Sequence, residues 1–349
     1  MYQAIASACR RVRPLGQRAA IAALLLGCAE TTPAAGRPDP STPATAPLAH
    51  VTFASRRNHS LDLDDRLPLF DRIGFSSPSA ILHDAARDVY WVSNLNVDGP
   101  PGSGFISRLD PEGKRVTLNF IDGRSADVKL NSPHGLAISG DSLLVADVTA
   151  IRKFNANTGA PEGSIQIPDT RYLSDVAVAA DGSLFVADVG GDPNLASVPE
   201  EGTDAVYQIS TTGQVSTVAR RPDLGGPFAL LSDARGVWIA CTGSSELLLL
   251  VPSPGGADSP DGGRLELPGG VPRGLTSIPD GTLVISSWKQ RAVYRGYRDG
   301  PFEPVITGLE SPADLDYDVR RKRLLIPLLS GQALAIFELA PFEAGSSPP

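Results

Sequence analysis

Cysteine is scarce, with three in 349 residues, and methionine occurs once. Cys9 and Cys28 fall at the extreme N-terminus, so the rest of the chain holds only Cys241. That excludes an intramolecular disulfide framework there, and a paired-cysteine metal site as well. Cys241 closes the apolar run Val237-Trp238-Ile239-Ala240 and reads as a packed thiol rather than a nucleophile. Charged residues make up 20% of the chain, and the formal net charge is −8. With no Lys/Arg cluster to neutralise phosphates, nucleic acid is excluded as a partner. The apolar run at residues 19–26 is too short to cross a bilayer as a helix. No Gly-x-Ser-x-Gly elbow, phosphate-binding loop or dinucleotide fingerprint is present, and nothing in the sequence singles out a serine nucleophile.

What the chain has in abundance is Gly (35) and Pro (31), the punctuation of many short strands. One phrase recurs six times. It opens as Ser77-Pro78-Ser79-Ala80, Ser132-Pro133-His134-Gly135, Leu173-Ser174-Asp175, Gly226-Pro227-Phe228, Val271-Pro272-Arg273-Gly274 and Ser311-Pro312-Ala313-Asp314. Each opening leads into an apolar strand, a tight turn such as Asp181-Gly182 or Asp280-Gly281, and a second strand ending in Ala-Asp, Ser-Asn or a variant. A period of roughly 40–55 residues with several strands per unit predicts a β-propeller. The expected fold is all-β and six-bladed, over residues 66–340, with a disordered tail at 341–349.

Blade six offers strands only at 314–317, 323–327 and 334–339 before the chain turns to Pro and Ser. An unpaired edge must be covered, which predicts that the apolar segment 67–75 supplies the missing strand from the N-terminal side. In such a fold, function belongs at the channel mouth, where the innermost strands begin. Two long connections, 95–104 and 189–204, are expected on that same face. Asp147 and Asp188, which end Val-Ala-Asp strands, are expected to tie down the turns to the third strands, and Trp91 and Trp238 to lie in the core.

The N-terminus combines Arg10, Arg11, Arg13 and Arg18 with the apolar run, then Leu25-Leu26-Gly27-Cys28. This reads as a signal peptide over 1–27. The last four residues resemble the lipobox of bacterial lipoproteins, which implies lipidation of Cys28. Ala29 at the next position implies an outer-membrane destination on the periplasmic face. Residues 28–65, which begin with a stretch rich in Ala, Pro, Thr and Ser, are expected to form a tether from the lipid to the propeller.

Ser76-Ser77-Pro78 with Tyr90-Trp91-Val92-Ser93-Asn94, Leu173-Ser174-Asp175 with Asp181-Gly182, and Glu310-Ser311-Pro312 resemble the superfamily of senescence marker protein, gluconolactonase and luciferin-regenerating enzyme, with overlap to NHL-type propellers. The resemblance spans residues 70–340 and implies a lactonase whose divalent cation sits at the channel mouth on a Glu, two Asn and an Asp. Carried over by position, those ligands fall on Ser76, Ser174, Phe228 and Arg273, none a strong cation ligand. The expectation is therefore a gluconolactonase-like propeller without the family's metal site and with no cofactor. It would bind a small molecule or an envelope protein at the mouth.

The candidate ligand-binding residues are His134, Asp175, Arg273, Trp288, Lys289, Glu310 and Asp314. His134 alone of four histidines stands at an innermost-strand start, and an imidazole there suits a general base or a bridge between blades. Arg273 suits a carboxylate or phosphate on a ligand, or an ion pair with Asp175 or Asp314. The alternative reading is a divergent hydrolase, lactonase or lyase using His134 and the mouth carboxylates. A divalent cation on Glu310 and Asp175, with His134 and Asp314 nearby, belongs to that alternative.

Overall fold

Each repeated phrase opens a strand that is buried along most of its length, and the fourth strands are more exposed, most of all Pro161–Gln166 and Asp261–Glu266. The strand Leu184–Asp188 is buried throughout, whereas Pro161–Gln166 is exposed at all positions but one. The gradient sets the order of strands from axis to rim, and it lets Pro161 and Gly163 sit in an outer strand where little packing is lost. The computed structural model describes residues 69–70, 73–191, 202–252, 259 and 261–339, all within one compact unit. The expected signal peptide, tether and C-terminal tail, and residues 192–201 of the second long connection, lie outside the described residues.

The described strands form six antiparallel four-stranded sheets, and the first strand of each packs beside the first strand of the next. The innermost strands are Pro78–Asp84, Pro133–Ser139, Leu173–Val178, Pro227–Asp233, Pro272–Ser277 and Asp316–Asp318. The last of these also packs beside the first, so the ring closes and the fold is a six-bladed β-propeller. The sixth sheet runs Asp316–Asp318, Arg323–Leu328, Ala333–Glu338, and then Leu69–Phe70 on its outer edge. The expected N-terminal closure is present, paired as Leu69 with Ala335 and Phe70 with Leu334.

The core is divided rather than central. Six apolar clusters each fill the gap between two neighbouring blades. The closing seam packs Phe70, Phe75, Tyr90 and Ile336 together, and Tyr90 donates a 2.6 Å hydrogen bond to Asp318 across it. Trp91 and Trp238 are both buried in such clusters, as their strand positions predict. Cys241 is fully buried as well, and burial pushes its thiol up to about 12, which keeps it an inert packing group.

Blade six departs from its siblings at the axis. Its innermost strand is only three residues long because the chain before it pairs across the seam instead. Asp314 forms a parallel bridge with Ala80, donating its N–H to Ser79 O and accepting from Ile81 N. The strand expected to start at residue 314 therefore begins at Asp316, since residue 314 serves the first blade.

Candidate functional site

Five of the six innermost strands carry a pairing irregularity at the same place, just inside their start. An extra residue in one strand of a pair bends the strand and re-aims a side chain. Here the irregularities fall at Ser79, His134, Ser174, Phe228 and Arg273, with Ala313 the equivalent residue of blade six. In five of the six repeats this residue follows a proline. Four of the starts are also kinked by a left-handed residue before that proline: Ser77, Gly226, Val271 and Ser311.

A pocket opens at this face, with about 270 Å³ of empty space when the solvent at its opening is counted. Its polar walls are Ser79, His134, Arg273 and Ser311, and its apolar walls are Phe228, Trp288, Pro312, Ala313 and Leu329. Among the described residues, Arg273 is the only cation lining it. The Arg273 guanidinium lies over two rings, 4.3 Å from the Phe228 centroid and 4.4 Å from that of Trp288. Contact with two aromatic rings holds the guanidinium in place at the pocket wall, and a planar fork held in this way suits a carboxylate.

His134 is buried and bridges two blades, as one of its expected roles required. Its Nδ1 lies 2.8 Å from Ser79 Oγ in blade one, and its Nε2 lies 2.8 Å from the hydroxyl of Tyr172, just before the first strand of blade three. Tyr172 is in turn 2.8 Å from Ser132 Oγ. A small apolar cluster of Tyr172, Val189 and Phe228 packs beneath and fixes both rings that flank the imidazole. Burial, and then the positive charge of Arg273, push His134 down to about 3, so the imidazole is neutral at physiological pH.

Asp175 and Asp314 stand one residue further along their strands and do not line the pocket. Asp175 accepts from its neighbour Val176 N at 2.7 Å and from Leu230 N of blade four at 2.7 Å. Burial nevertheless raises it to about 7. Asp314 accepts from Leu275 and Leu315 amides and is pushed well above the ordinary carboxylate range, by burial first and then by the charges of Asp175 and Asp316. Of the other expected residues, Trp288 lines the pocket, Lys289 is exposed with its side chain against Gly270, and Glu310 is exposed near Gly331. The site is thus assembled from His134, Arg273 and Trp288, while the four other candidates stand apart from the pocket walls.

Ser76 and Ser174, two of the residues onto which the resemblance carries metal ligands, hydrogen-bond elsewhere. Ser76 donates to Asn96 Oδ1 at 2.9 Å, and Asn96 in turn bonds Ser103, pinning the base of the connection 95–104. Ser174 Oγ donates to Pro227 O at 3.2 Å. Asp147 and Asp188 tie down the connections to the third strands, as expected, and also brace the approaches to innermost strands. Asp188 accepts from Gly190 N, and Asp147 from Arg152 Nε of the third strand; beyond these, Asp147 accepts from Asn131 and Ser132 amides and Asp188 from Arg171 and Tyr172 amides. Among the described residues, no group of three or more His, Cys, Asp and Glu is arranged to hold a metal ion.

Sequence reasoning missed Ser79 and Tyr172. Ser79 carries a signal that aligning the six phrases exposes, because it follows the proline just as His134 and Arg273 do. Tyr172 has no such signal, since only the packing of blade three against blade two brings it to the imidazole.

No family model matches the chain, and no curated protein matches it by sequence. Solved structures do match. A gluconolactonase from Xanthomonas campestris superposes with a TM-score of 0.57 at 20% identity, covering 75% of this chain and 86% of that one. A luciferin-regenerating enzyme gives 0.57 at 12% identity, covering 76% and 93%. Virginiamycin B lyase from Staphylococcus aureus, a histidine-to-alanine variant described as catalytically inactive and bound to quinupristin, gives 0.51 at 13%, covering 77% and 97%. At these identities the likeness is one of architecture: this chain is a six-bladed propeller built like the gluconolactonases and luciferin-regenerating enzyme.

Proposed function

We propose that the channel mouth binds a small molecule bearing a carboxylate or comparable anion, and that the family's metal-dependent lactone chemistry is lost. The observation that carries this is Arg273, held against Phe228 and Trp288 in the pocket wall. The donor set at the family's metal positions does not fit a hard divalent cation: two hydroxyls engaged elsewhere, a phenyl ring and a guanidinium. An arginine–carboxylate contact in a poorly hydrated pocket contributes about 1.5–3 kcal/mol, or roughly ten- to hundredfold in affinity. Calorimetric titration with small aryl carboxylates is the test. Binding that Arg273→Met weakens at least tenfold supports the reading, whereas carboxylate binding indifferent to that change overturns it.

The placement we propose rests on the N-terminal sequence: export under the signal at 1–27, lipidation at Cys28, and display of the propeller on the 28–65 tether at the periplasmic face of the outer membrane. Two or more acyl chains make such anchoring stable. Radiolabelled palmitate should enter the wild-type chain in a bacterial host and not Cys28→Ser.

A second reading, a divergent hydrolase or lyase, is favoured by one contact. His134 touches two hydroxyls, Ser79 and Tyr172, within a pocket open to a ligand. The carboxylates expected to assist it, Asp175 and Asp314, accept backbone amides instead. Turnover of an ester and lactone panel that His134→Gln abolishes would establish this reading.

A further inference from the structure

We infer that Ser79 is a nucleophile, activated by His134, and that the pocket hydrolyses esters of small apolar carboxylic acids without a metal ion. The inference rests on the anion-binding reading of the same pocket and adds a covalent step to it.

Four observations meet at one place. Ser79 Oγ is 2.8 Å from His134 Nδ1, within reach for proton transfer. The opposite ring nitrogen is occupied by the Tyr172 hydroxyl at 2.8 Å, which is itself 2.8 Å from Ser132 Oγ. With Nε2 protonated and donating to Tyr172, Nδ1 is left as the acceptor facing Ser79, so Tyr172 acts as the positioning residue. Arg273 lines the same pocket and is close enough to act on the imidazole through its charge. The remaining walls, Phe228, Trp288, Pro312 and Leu329, suit an apolar acyl or alkyl group and offer little to a sugar. Nucleophile, base, orienting group and an electrophile for the oxyanion are the parts an acyl-transfer site needs.

The step balances with the ester and water alone. Ser79 Oγ attacks the acyl carbon while its proton passes to His134 Nδ1, and the carbonyl oxygen becomes an oxyanion facing Arg273. Collapse breaks the ester C–O bond, and the departing alkoxide takes the proton from Nδ1, leaving an acylated Ser79 and a neutral imidazole. Water then attacks the acyl carbon, gives its proton to Nδ1, and that proton returns to Ser79 Oγ as the acid leaves. Arg273 couples the two halves electrostatically. Burial, and after it the Arg273 cation, lowers the proton affinity of His134 in the resting site, and the developing oxyanion, placed beside both groups, offsets the cation and favours the imidazolium as the proton arrives.

The probe is an alkyl fluorophosphonate, which phosphonylates an activated serine with loss of fluoride, applied to the whole protein and followed by peptide mass spectrometry. The expected result is one adduct, on the peptide containing Ser79, absent in Ser79→Ala and formed roughly 100-fold or more slowly in His134→Gln. Hydrolysis of p-nitrophenyl esters should show the same dependence, with no acid limb near pH 6.5, because the imidazole is already neutral there. Thermal melting of each variant separates lost chemistry from lost fold. No adduct, an adduct on another residue, or labelling of Ser79 indifferent to His134→Gln overturns the inference. An aryl carboxylate titrated in parallel keeps the two readings apart. Binding that depends on Arg273, without labelling, overturns only the nucleophile, whereas absence of both overturns the anion-binding reading as well.

Discussion

Two successive rings of residues line the start of the channel, and they differ in symmetry. The first ring is Ser79, His134, Ser174, Phe228, Arg273 and Ala313, in which no two neighbours share a chemistry. The second, one residue further along each strand, is Ala80, Gly135, Asp175, Ala229, Gly274 and Asp314, in which Ala-Gly-Asp occurs twice. The repeat in the second ring has a steric logic. A Cβ on Gly135 would come within 2.0 Å of Asp175 Oδ1, and one on Gly274 within 2.8 Å of the Asp314 Cα. Each aspartate therefore needs a glycine in the preceding blade. The ring that closes the barrel keeps a three-blade pattern, while the ring that meets a ligand has lost any pattern. Scaffold and site are separated by a single residue along each strand.

The largest break in this comparison comes from filling the second ring. Gly135→Ala should cost about 3 kcal/mol or more, because the new methyl meets the Asp175 Cα at 2.6 Å, and backbone cannot yield as a flexible side chain can. Gly274→Ala should cost a similar amount, whereas Ser79→Ala, which creates no clash but leaves the buried His134 Nδ1 without its partner, should cost less, about 1–2 kcal/mol. Urea titration of the three variants gives the ranking, and a tolerated Gly135→Ala would defeat the steric account.

The two rings should also respond to pH with opposite signs. Asp175 is raised from 3.8 to about 7 in the fold, so between those values the folded state holds a proton that the unfolded chain has lost. Its contribution is fully present below about pH 3.8 and is lost as pH rises through about 7. Asp314, also raised, acts in the same direction. His134 is lowered from 6.5 to about 3, so its contribution is present above about pH 6.5 and is lost as pH falls toward 3. Each group changes stability by at most about 1.4 kcal/mol per pH unit. Between about pH 4 and 6.5, Asp175→Asn should make the protein lose more stability on acidification, and His134→Gln should make it lose less. Denaturation midpoints across that range check both signs, and equal slopes in the two variants would remove the distinction between the rings.

A smaller effect separates the roles of one pocket residue. Arg273→Met gives up cation–π contacts with Phe228 and Trp288 worth about 1–2 kcal/mol, and its new side chain recovers part of that by packing. The same change removes a charge that depresses His134, so the histidine titration followed by NMR should move upward. A histidine that does not move would show that Arg273 exerts no field on the imidazole. Least of all, Val271→Gly should stabilise by up to about 1 kcal/mol. Val271 holds φ at 64°, a conformation costly for a β-branched residue, where blade four uses Gly226 at the same place. A destabilised Val271→Gly would show that valine packing outweighs the backbone cost.

Much of the architecture is legible in the sequence. The six phrases give the blade count because each carries the same opening, apolar strand and turn, and the missing last strand gives the N-terminal closure because an open edge has to be covered. His134 and Arg273 are legible as mouth residues for the same reason, since both come directly after the repeat's proline. Asp175 and Asp314, expected at the mouth, stand behind its walls. A strand alternates its faces, but the irregularity at residue 174 and the seam crossing at residue 314 re-aim the side chains beyond them, and neither shift is written in the local sequence. Lys289 and Glu310 fall outside the pocket although their neighbours Trp288 and Ser311 line it, because adjacent residues at a strand end or turn point to different sides.

The sequence by itself determined what repeats: a strand pattern, a period, and in five of the six repeats a proline just before the mouth residue, which in four of them starts the inner strand. These are consequences of local preferences summed over six copies. Only the tertiary structure decided which residues meet. The imidazole of blade two reaches a hydroxyl of blade one and another at the edge of blade three, and the guanidinium of blade five is held against a ring of blade four and one that comes after its own second strand. Those contacts join residues up to 55 positions apart, and they exist because closing the ring gathers six strand starts around one axis.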